Sequence, residues 1–267
     1  MDSTLFAAAR ADLVRARREA RAIATWPTER RPGDLAEAYR LQSAVAAELG
    51  AVAGWKVAAV TDAQRQAMGV ATPIAAPMLD RWMHDARAAA ATLSLADFIA
   101  PRLECEFAFE LARDLPPRAA RPYTRAEVAA AIHALRIGVE IVDWRLPRGL
   151  GALSELADGF NNGAYIAGPA IAAWSDIDLG AIAIVLRRSH DGRSDDVARG
   201  DGKAILDGDP FGTVVMLANA SPDAVRGLAA GTIVTTGSCT GAPLVPGEGR
   251  YIAEFARLGN VEFVFRR

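Results

Sequence analysis

At 267 residues, 51% of them hydrophobic, the chain can bury a sizeable core in one large domain or two small ones, and its net charge of −2 with mixed signs excludes the basic footprint of a nucleic-acid binder. No apolar run approaches the length needed to span a bilayer. Two cysteines (Cys105, Cys239), three scattered histidines (His84, His133, His190) and the absence of a signal peptide argue against a disulfide-stapled secreted scaffold or a zinc site, so a soluble cytoplasmic protein is expected.

Helical periodicity runs over residues 4–24, and a second helix is predicted from Asp34 to Leu49 with Gly50 as its C-cap. Residues 53–60 read as a strand, followed by a short helix opened by a Thr61–Gln64 capping box. The Pro-rich stretch 73–77 is a turn or an edge. Residues 102–111 alternate strictly between apolar and mainly charged side chains, the pattern of a half-buried strand. A capping box at Thr124–Glu127 predicts a helix to about Leu135, with a β-branched strand over 136–143 directly after it. A short helix is expected over 154–158, further strands over 164–167, 181–188, 232–236, 251–255 and 261–265, and a helix from Pro210 to Asn219. Many short strands with few intervening helices predict an α+β fold: a mixed, largely antiparallel β-core (51–267) behind a helical N-terminal segment (1–50), read as one catalytic domain over 1–267.

Glu104 and Glu106 share one face of the 102–111 strand, with Cα atoms about 6.5–7 Å apart. Like charges so close repel, and a hard divalent cation, Mg²⁺ or Mn²⁺, turns that repulsion into coordination. Glu140, in the apolar middle of its strand, needs a cation or a hydrogen-bonded partner. The bland alternative for Glu104 and Glu106 is a solvated outer face. Glu110, on the same face, is read as a structural ion pair.

Lys56 and Lys203 are the only lysines. Lys56 stands in an apolar strand, where burial lowers an ammonium pKa and allows proton transfer near neutrality; otherwise its tip reaches solvent or a surface carboxylate. Asp158, in the run Asp158-Gly159-Phe160-Asn161-Asn162-Gly163, either orients that lysine or a water, or forms a turn. The small-residue run 235–241, with Ser238 and Thr240, either offers hydroxyls and amides to a substrate carboxylate or is an ordinary connection. Trp55 and Trp144 belong to the core or a pocket wall, and Trp55 is counted with Ser238 and Thr240 as a candidate substrate contact. Cys239 has no neighbouring histidine to activate it.

Gly54-Trp55-Lys56-Val57, Glu104-Cys105-Glu106-Phe107-Ala108-Phe109, Gly138-Val139-Glu140-Ile141-Val142-Asp143, Ala157-Asp158, Gly208-Asp209-Pro210, Leu217-Ala218-Asn219 and the run 230–237 together resemble the 2-keto-4-pentenoate hydratase group of the fumarylacetoacetate hydrolase superfamily. The resemblance implies a β-roll core, a Mg²⁺ or Mn²⁺ held at the positions of Glu104, Glu106 and Glu140, the family lysine at Lys56, and a homo-oligomer. Such enzymes hydrate 2-hydroxy-2,4-dienoates, decarboxylate 2-oxo-3-enedioates or cleave acylpyruvates. Two departures stand out: Ile74 where many hydratases have Asp, and Asn161 where some relatives have Ser. The expected activity is a hydro-lyase of aromatic-compound catabolism, yielding a 4-hydroxy-2-oxo acid, in which Lys56 and Asp158 move protons. The alternatives are a decarboxylase and a non-catalytic, metal-dependent binder of small oxo acids.

Overall fold

In the computed structural model, which describes residues 1–118, 120–220 and 225–267, the chain begins with two capped helices. Asp2 accepts hydrogen bonds from the amides of Thr4 and Leu5 and starts α1 (Ser3–Arg18). Asp34 accepts from the Glu37 amide and starts α2 (Leu35–Leu49), which ends at the expected Gly50. The first helix is shorter than its periodicity predicts, because the chain after it turns to dock Ile23 on the Arg145 carbonyl. Leu13, Leu41, Val45 and Leu49 join Trp26 and Leu79 in a small core that lays both helices along one flank of the β-structure.

The remainder runs β1 (Val52–Ala58), α3 (Asp62–Met68), β2 (Ile74–Leu79), β3 (Met83–Asp85), β4 (Ala91–Ser94), β5 (Arg102–Leu111), α4 (Arg125–Ala129), β6 (Ile132–Val142), α5 (Ala152–Ala157), β7 (Asn162–Ile171), β8 (Ala183–His190), β9 (Arg193–Asp201), α6 (Pro210–Ala220), β10 (Ile233–Thr235), β11 (Gly249–Phe255) and β12 (Gly259–Arg266). Seven strands form one sheet in the order β2-β1-β10-β5-β6-β7-β3, and five form a second in the order β4-β12-β11-β8-β9. Three pairings are parallel (β1 with β10, β3 with β7, β4 with β12) and the rest are antiparallel, as the strand-rich pattern predicted.

The main core lies between the sheets. On β5 the odd residues Leu103, Cys105, Phe107 and Phe109 are fully buried there, and Phe107 meets Phe255 edge-on at 5.6 Å between ring centres. Burial of each large apolar side chain contributes about 1.5–3 kcal/mol. This face leaves β5's even residues no choice but to project to the opposite side of the sheet.

Two local expectations change, and the turn-or-edge reading of 73–77 resolves to an edge. The helix after Thr124 stops at Ala129, and residues 132–135 join the strand that follows, because β6 pairs with β5 along its whole length, from Arg102↔Val142 to Leu111↔Ile132. Tertiary pairing outweighs the helical composition of that stretch. The 73–77 stretch is an edge strand whose residues are all buried, with Pro77 at a position an edge tolerates. The charged strand β9 was not expected; it pairs with β8 across an Asp191-Gly192 turn with φ of 50° and 75°, the left-handed pair a tight hairpin requires. No helix among the described residues is long and apolar enough to cross a membrane.

Candidate metal centre and active site

Glu104 and Glu140 are register partners on β5 and β6, and Glu106 lies opposite Gly138 one pleat along. All three carboxylates rise from the side of the sheet turned away from the main core. One oxygen from each falls within 4.8 Å of the others. Glu106 and Glu140 are 1% and 0% exposed, and Glu104 is half-buried.

Few protein groups satisfy so much charge. Lys56 Nζ lies 2.7 Å from Glu140 Oε1, which also accepts from Asn162 Nδ2 at 3.0 Å. Glu140 Oε2 is buried without a partner. Glu106 Oε2 accepts from the Gly237 amide at 2.9 Å. Gly237 has φ of 108°, a conformation that glycine adopts freely, and this aims its N–H at the carboxylate. Gly138 is needed for a different reason: a Cβ there would sit 2.0 Å from Tyr165 Oη, which is buried beneath the carboxylates.

Three carboxylates against one ammonium leave two negative charges in a largely dry recess. Burial, together with Glu140, pushes the Glu104 carboxyl up to about 7 in spite of Lys56. Burial and then the charges of Glu140 and Glu104 push Glu106 well above the carboxylate range. A single divalent cation offsets that charge, and an all-carboxylate donor set suits a hard ion. The partnerless Glu140 oxygen is the expected signature of a ligand atom seen without its ion. The residues present therefore fit Mg²⁺ or Mn²⁺.

Glu104 and Glu106 of the cluster line a cleft of about 380 Å³, within the usual range for a small-molecule site, with Glu140 buried behind them. Lys56, Phe160, Asn161, Glu155, Trp144, Met68 and Ser238 are among its walls. Phe160 lies under the Lys56 ammonium, 5.8 Å from Nζ to the ring centre. Gly159, Phe160 and Asn161 all have positive φ (71°, 49° and 61°), and for Phe160 this is a strained conformation of the kind held at functional sites.

The structure brings some of the expected residues together and separates others. Lys56 is at the cluster, but its pKa moves opposite to expectation. Burial pulls it down, and the nearby carboxylates, Glu140 foremost, raise it above its ordinary value. Trp55, expected as a substrate contact, lies apart from the cluster: the residue next to Lys56 on a strand points to the opposite face, and it packs into the main core. Asp158 is not beside Lys56. Its Oδ1 accepts from Arg145 Nε at 2.9 Å, and it lines a separate small cavity with Arg17 and Arg145. Ser238 lines the cleft, with its hydroxyl donating to the Gly241 carbonyl at 2.7 Å. Thr240 turns its hydroxyl to the Cys105 amide at 3.2 Å instead. Glu110 pairs with Arg136 at 2.5 Å, as expected.

Asn162, Gly237, Phe160 and Glu155 were not singled out from the sequence. The signal for the first and third lay in the Asp158–Gly163 run, where Gly and two Asn residues permit consecutive left-handed conformations. Arg17 and Arg145 brace that run: both donate to the Asn162 carbonyl, Arg145 Nη1 at 3.0 Å, and Arg17 also reaches the Gly163 carbonyl.

No family model matches the chain. Over 168 residues it is 32% identical to 2-keto-4-pentenoate hydratase 1 of Dechloromonas aromatica (strain RCB), covering 62% of this chain but only 61% of that relative. Over 216 residues it is 27% identical to 4-oxalocrotonate decarboxylase of Pseudomonas putida, covering 80% and 77%. The solved 4-oxalocrotonate decarboxylase of Pseudomonas putida G7, complexed with magnesium and adipate, superposes with a TM-score of 0.84 at 24% identity, over 100% of this chain and 99% of that one. The same fold recurs, at TM-scores of 0.54 and 0.53, in a putative fumarylacetoacetate hydrolase family protein from Yersinia pestis CO92 and in fumarylpyruvate hydrolase from Pseudomonas aeruginosa. The chain is thus similar to 2-keto-4-pentenoate hydratases, of which it spans less than two thirds, and to 4-oxalocrotonate decarboxylases.

Proposed function

We propose that the protein is a metal-dependent hydro-lyase that adds water to a 2-hydroxy-2,4-dienoate to give a 4-hydroxy-2-oxo acid. The observation that carries this reading is the Glu104–Glu106–Glu140 cluster, two charges in excess, with Lys56 against it in a cleft of small-molecule size. The similarity to hydratases supports the reaction class. Glu104, Glu106 and Glu140 would hold Mg²⁺ or Mn²⁺. When bound, the ion supplies Lewis-acid polarisation of the substrate's 2-oxygen and a counter-charge for its carboxylate.

The chain's own residues do the rest. In the overall change the 2-hydroxyl loses its proton and the terminal carbon gains one; water then gives its hydroxyl to C4 and its proton to C3. Lys56 Nζ is the cationic proton carrier at the cleft floor, and Glu140 and Asn162 fix its position relative to the cluster. Phe160, Met68 and Val60 shield the reacting carbons from bulk water. Asp158 acts at one remove, by holding Arg145 against the Asn162 carbonyl. Ser238 borders the substrate through its position on the wall.

The direct test is to supply 2-hydroxypenta-2,4-dienoate and 2-oxo-3-hexenedioate in parallel, with Mg²⁺, with Mn²⁺ and after chelation. The reading expects metal-dependent loss of the dienoate chromophore without CO₂ release. Hydration that survives complete chelation overturns it. CO₂ release from the enedioate alone transfers the assignment to a decarboxylase, the reading favoured by the likeness to 4-oxalocrotonate decarboxylases. Metal-dependent binding without turnover would leave a binder of small oxo acids. A homo-oligomer in the cytoplasm completes the proposal; light scattering and fractionation test these points.

A further inference from the structure

The cleft's charge is distributed unevenly, and this bears on which acids it accepts. Among the described residues, Lys56 is the sole cation lining it, and that ammonium is already engaged by Glu140. The wall formed by α5 and the turn after it presents acceptors instead. Glu155 is half-buried there, with Asn161 beside it. Asn161 is 3% exposed, and its Oδ1 is buried without a partner. The remaining wall combines apolar surface from Val60, Met68, Phe160 and Ile205 with the uncharged polar side chains of Thr61, Gln64 and Thr236. Arg148, whose charge acts on Glu155, is exposed and stacked on Trp144 at 3.5 Å from the ring centre.

A ligand whose carboxylate head is held at the triad would lay its tail along this wall. An uncharged tail gains the apolar contacts. A second carboxylate would instead meet the Glu155 carboxylate, with no free cation in the lining, and like charges opposed in a desolvated cleft discriminate strongly. We propose that Glu155, with Asn161 beside it, is a specificity determinant that restricts the site to oxo acids bearing one carboxylate and an uncharged tail. The inference rests on the oxo-acid reading of the metal centre and deepens it: a 2-hydroxydienoate meets the requirement, and a 2-oxo-3-enedioate does not.

Calorimetric titration of the Mn²⁺-loaded protein with 2-oxohexanoate and with 2-oxohexanedioate, which differ only in a terminal methyl or carboxylate, tests it without turnover. The monoacid is expected to bind about tenfold tighter or more. In Glu155→Gln the ratio should narrow to within about threefold, with monoacid affinity kept. Raising the salt concentration should narrow the wild-type ratio as well, which provides a second reading should the variant not fold. Equal or tighter binding of the diacid, or a ratio untouched by both the substitution and salt, overturns the proposal. If neither acid binds, the oxo-acid reading itself fails and takes this inference with it; if both bind equally, only the role of Glu155 is lost.

Discussion

Glu104 and Glu140 face one another across two antiparallel strands at the same register position, and Glu106 joins them from one pleat away. An antiparallel pair with like charges opposed is destabilising by itself. The cluster therefore works against the fold until something cationic enters it.

A crossed effect on stability follows. Without metal, Glu106→Gln should be more heat-resistant than the parent, since it removes a buried, repelled carboxylate. With Mn²⁺ the parent should gain several degrees and the variant little, because only a competent site couples ion binding to folding. Thermal denaturation of both proteins, with and without Mn²⁺, reads this out. A variant that is less stable without metal and gains as much with it contradicts the assignment.

Lys56→Met keeps the length of the side chain and removes its charge. Turnover of the dienoate should fall about 10²–10⁴-fold, the usual worth of a positioned proton carrier. Mn²⁺ should still bind, as the carboxylates are intact. Steady-state kinetics combined with metal titration separate the two. A variant retaining more than about a tenth of parental kcat would remove Lys56 from the chemistry.

Asp158 and Arg145 form an ion pair in which both side chains are 3% exposed. Asp158→Ala strands the guanidinium and should destabilise the protein by about 3–5 kcal/mol in urea unfolding. Activity per folded molecule should fall far less than for Lys56→Met. If instead stability holds and kcat collapses, Asp158 takes part in the reaction itself.

At Gly138 the demand is steric. Gly138→Ala drives a methyl into Tyr165, and overpacking of this kind typically costs about 1–3 kcal/mol. Tyr165→Phe removes a buried hydroxyl without a hydrogen-bond partner and should be close to neutral. Urea midpoints of the two single variants check both.

His84 supplies a pH dependence away from the metal centre. Burial holds its imidazole below the ordinary value of 6.5, against the pull of Asp97. The unfolded chain then takes up the proton more readily than the folded one, so stability falls as pH drops from the unfolded value toward the folded one and is unaffected above it. Urea unfolding between pH 7.5 and 5 should show this slope, reduced in His84→Asn. A slope unchanged in the variant assigns it to other groups.

The carboxylate cluster was legible because it depends on one periodicity. The alternation in 102–111 placed Glu104 and Glu106 on one face, and the apolar setting of Glu140 marked it as needing a partner. The same rule, applied to β1, separates Trp55 from Lys56 by one residue and hence by the thickness of the sheet. What the sequence did not reveal depended on contacts between distant segments. That Asp158 belongs to Arg145, and that Asn162 serves Glu140, follows from how the 158–163 turn closes over the sheet. The direction of the Lys56 shift required knowing that three carboxylates surround it. The hairpin of β8 and β9 was hidden by its charged, outward-facing strand, although Asp191-Gly192 marks its turn.

Arg17 grips carbonyls at Asn162 and Gly163, the first of them 145 positions further along the chain. On the ribosome, the clamp is thus made early and must wait for most of the polypeptide to emerge before its target exists. Assembly of the centre is accordingly a late event in biogenesis, gated by long-range closure and slower than helix formation. Without the first helix, Asn162 would lose the Arg17 brace behind its hydrogen bond to Glu140.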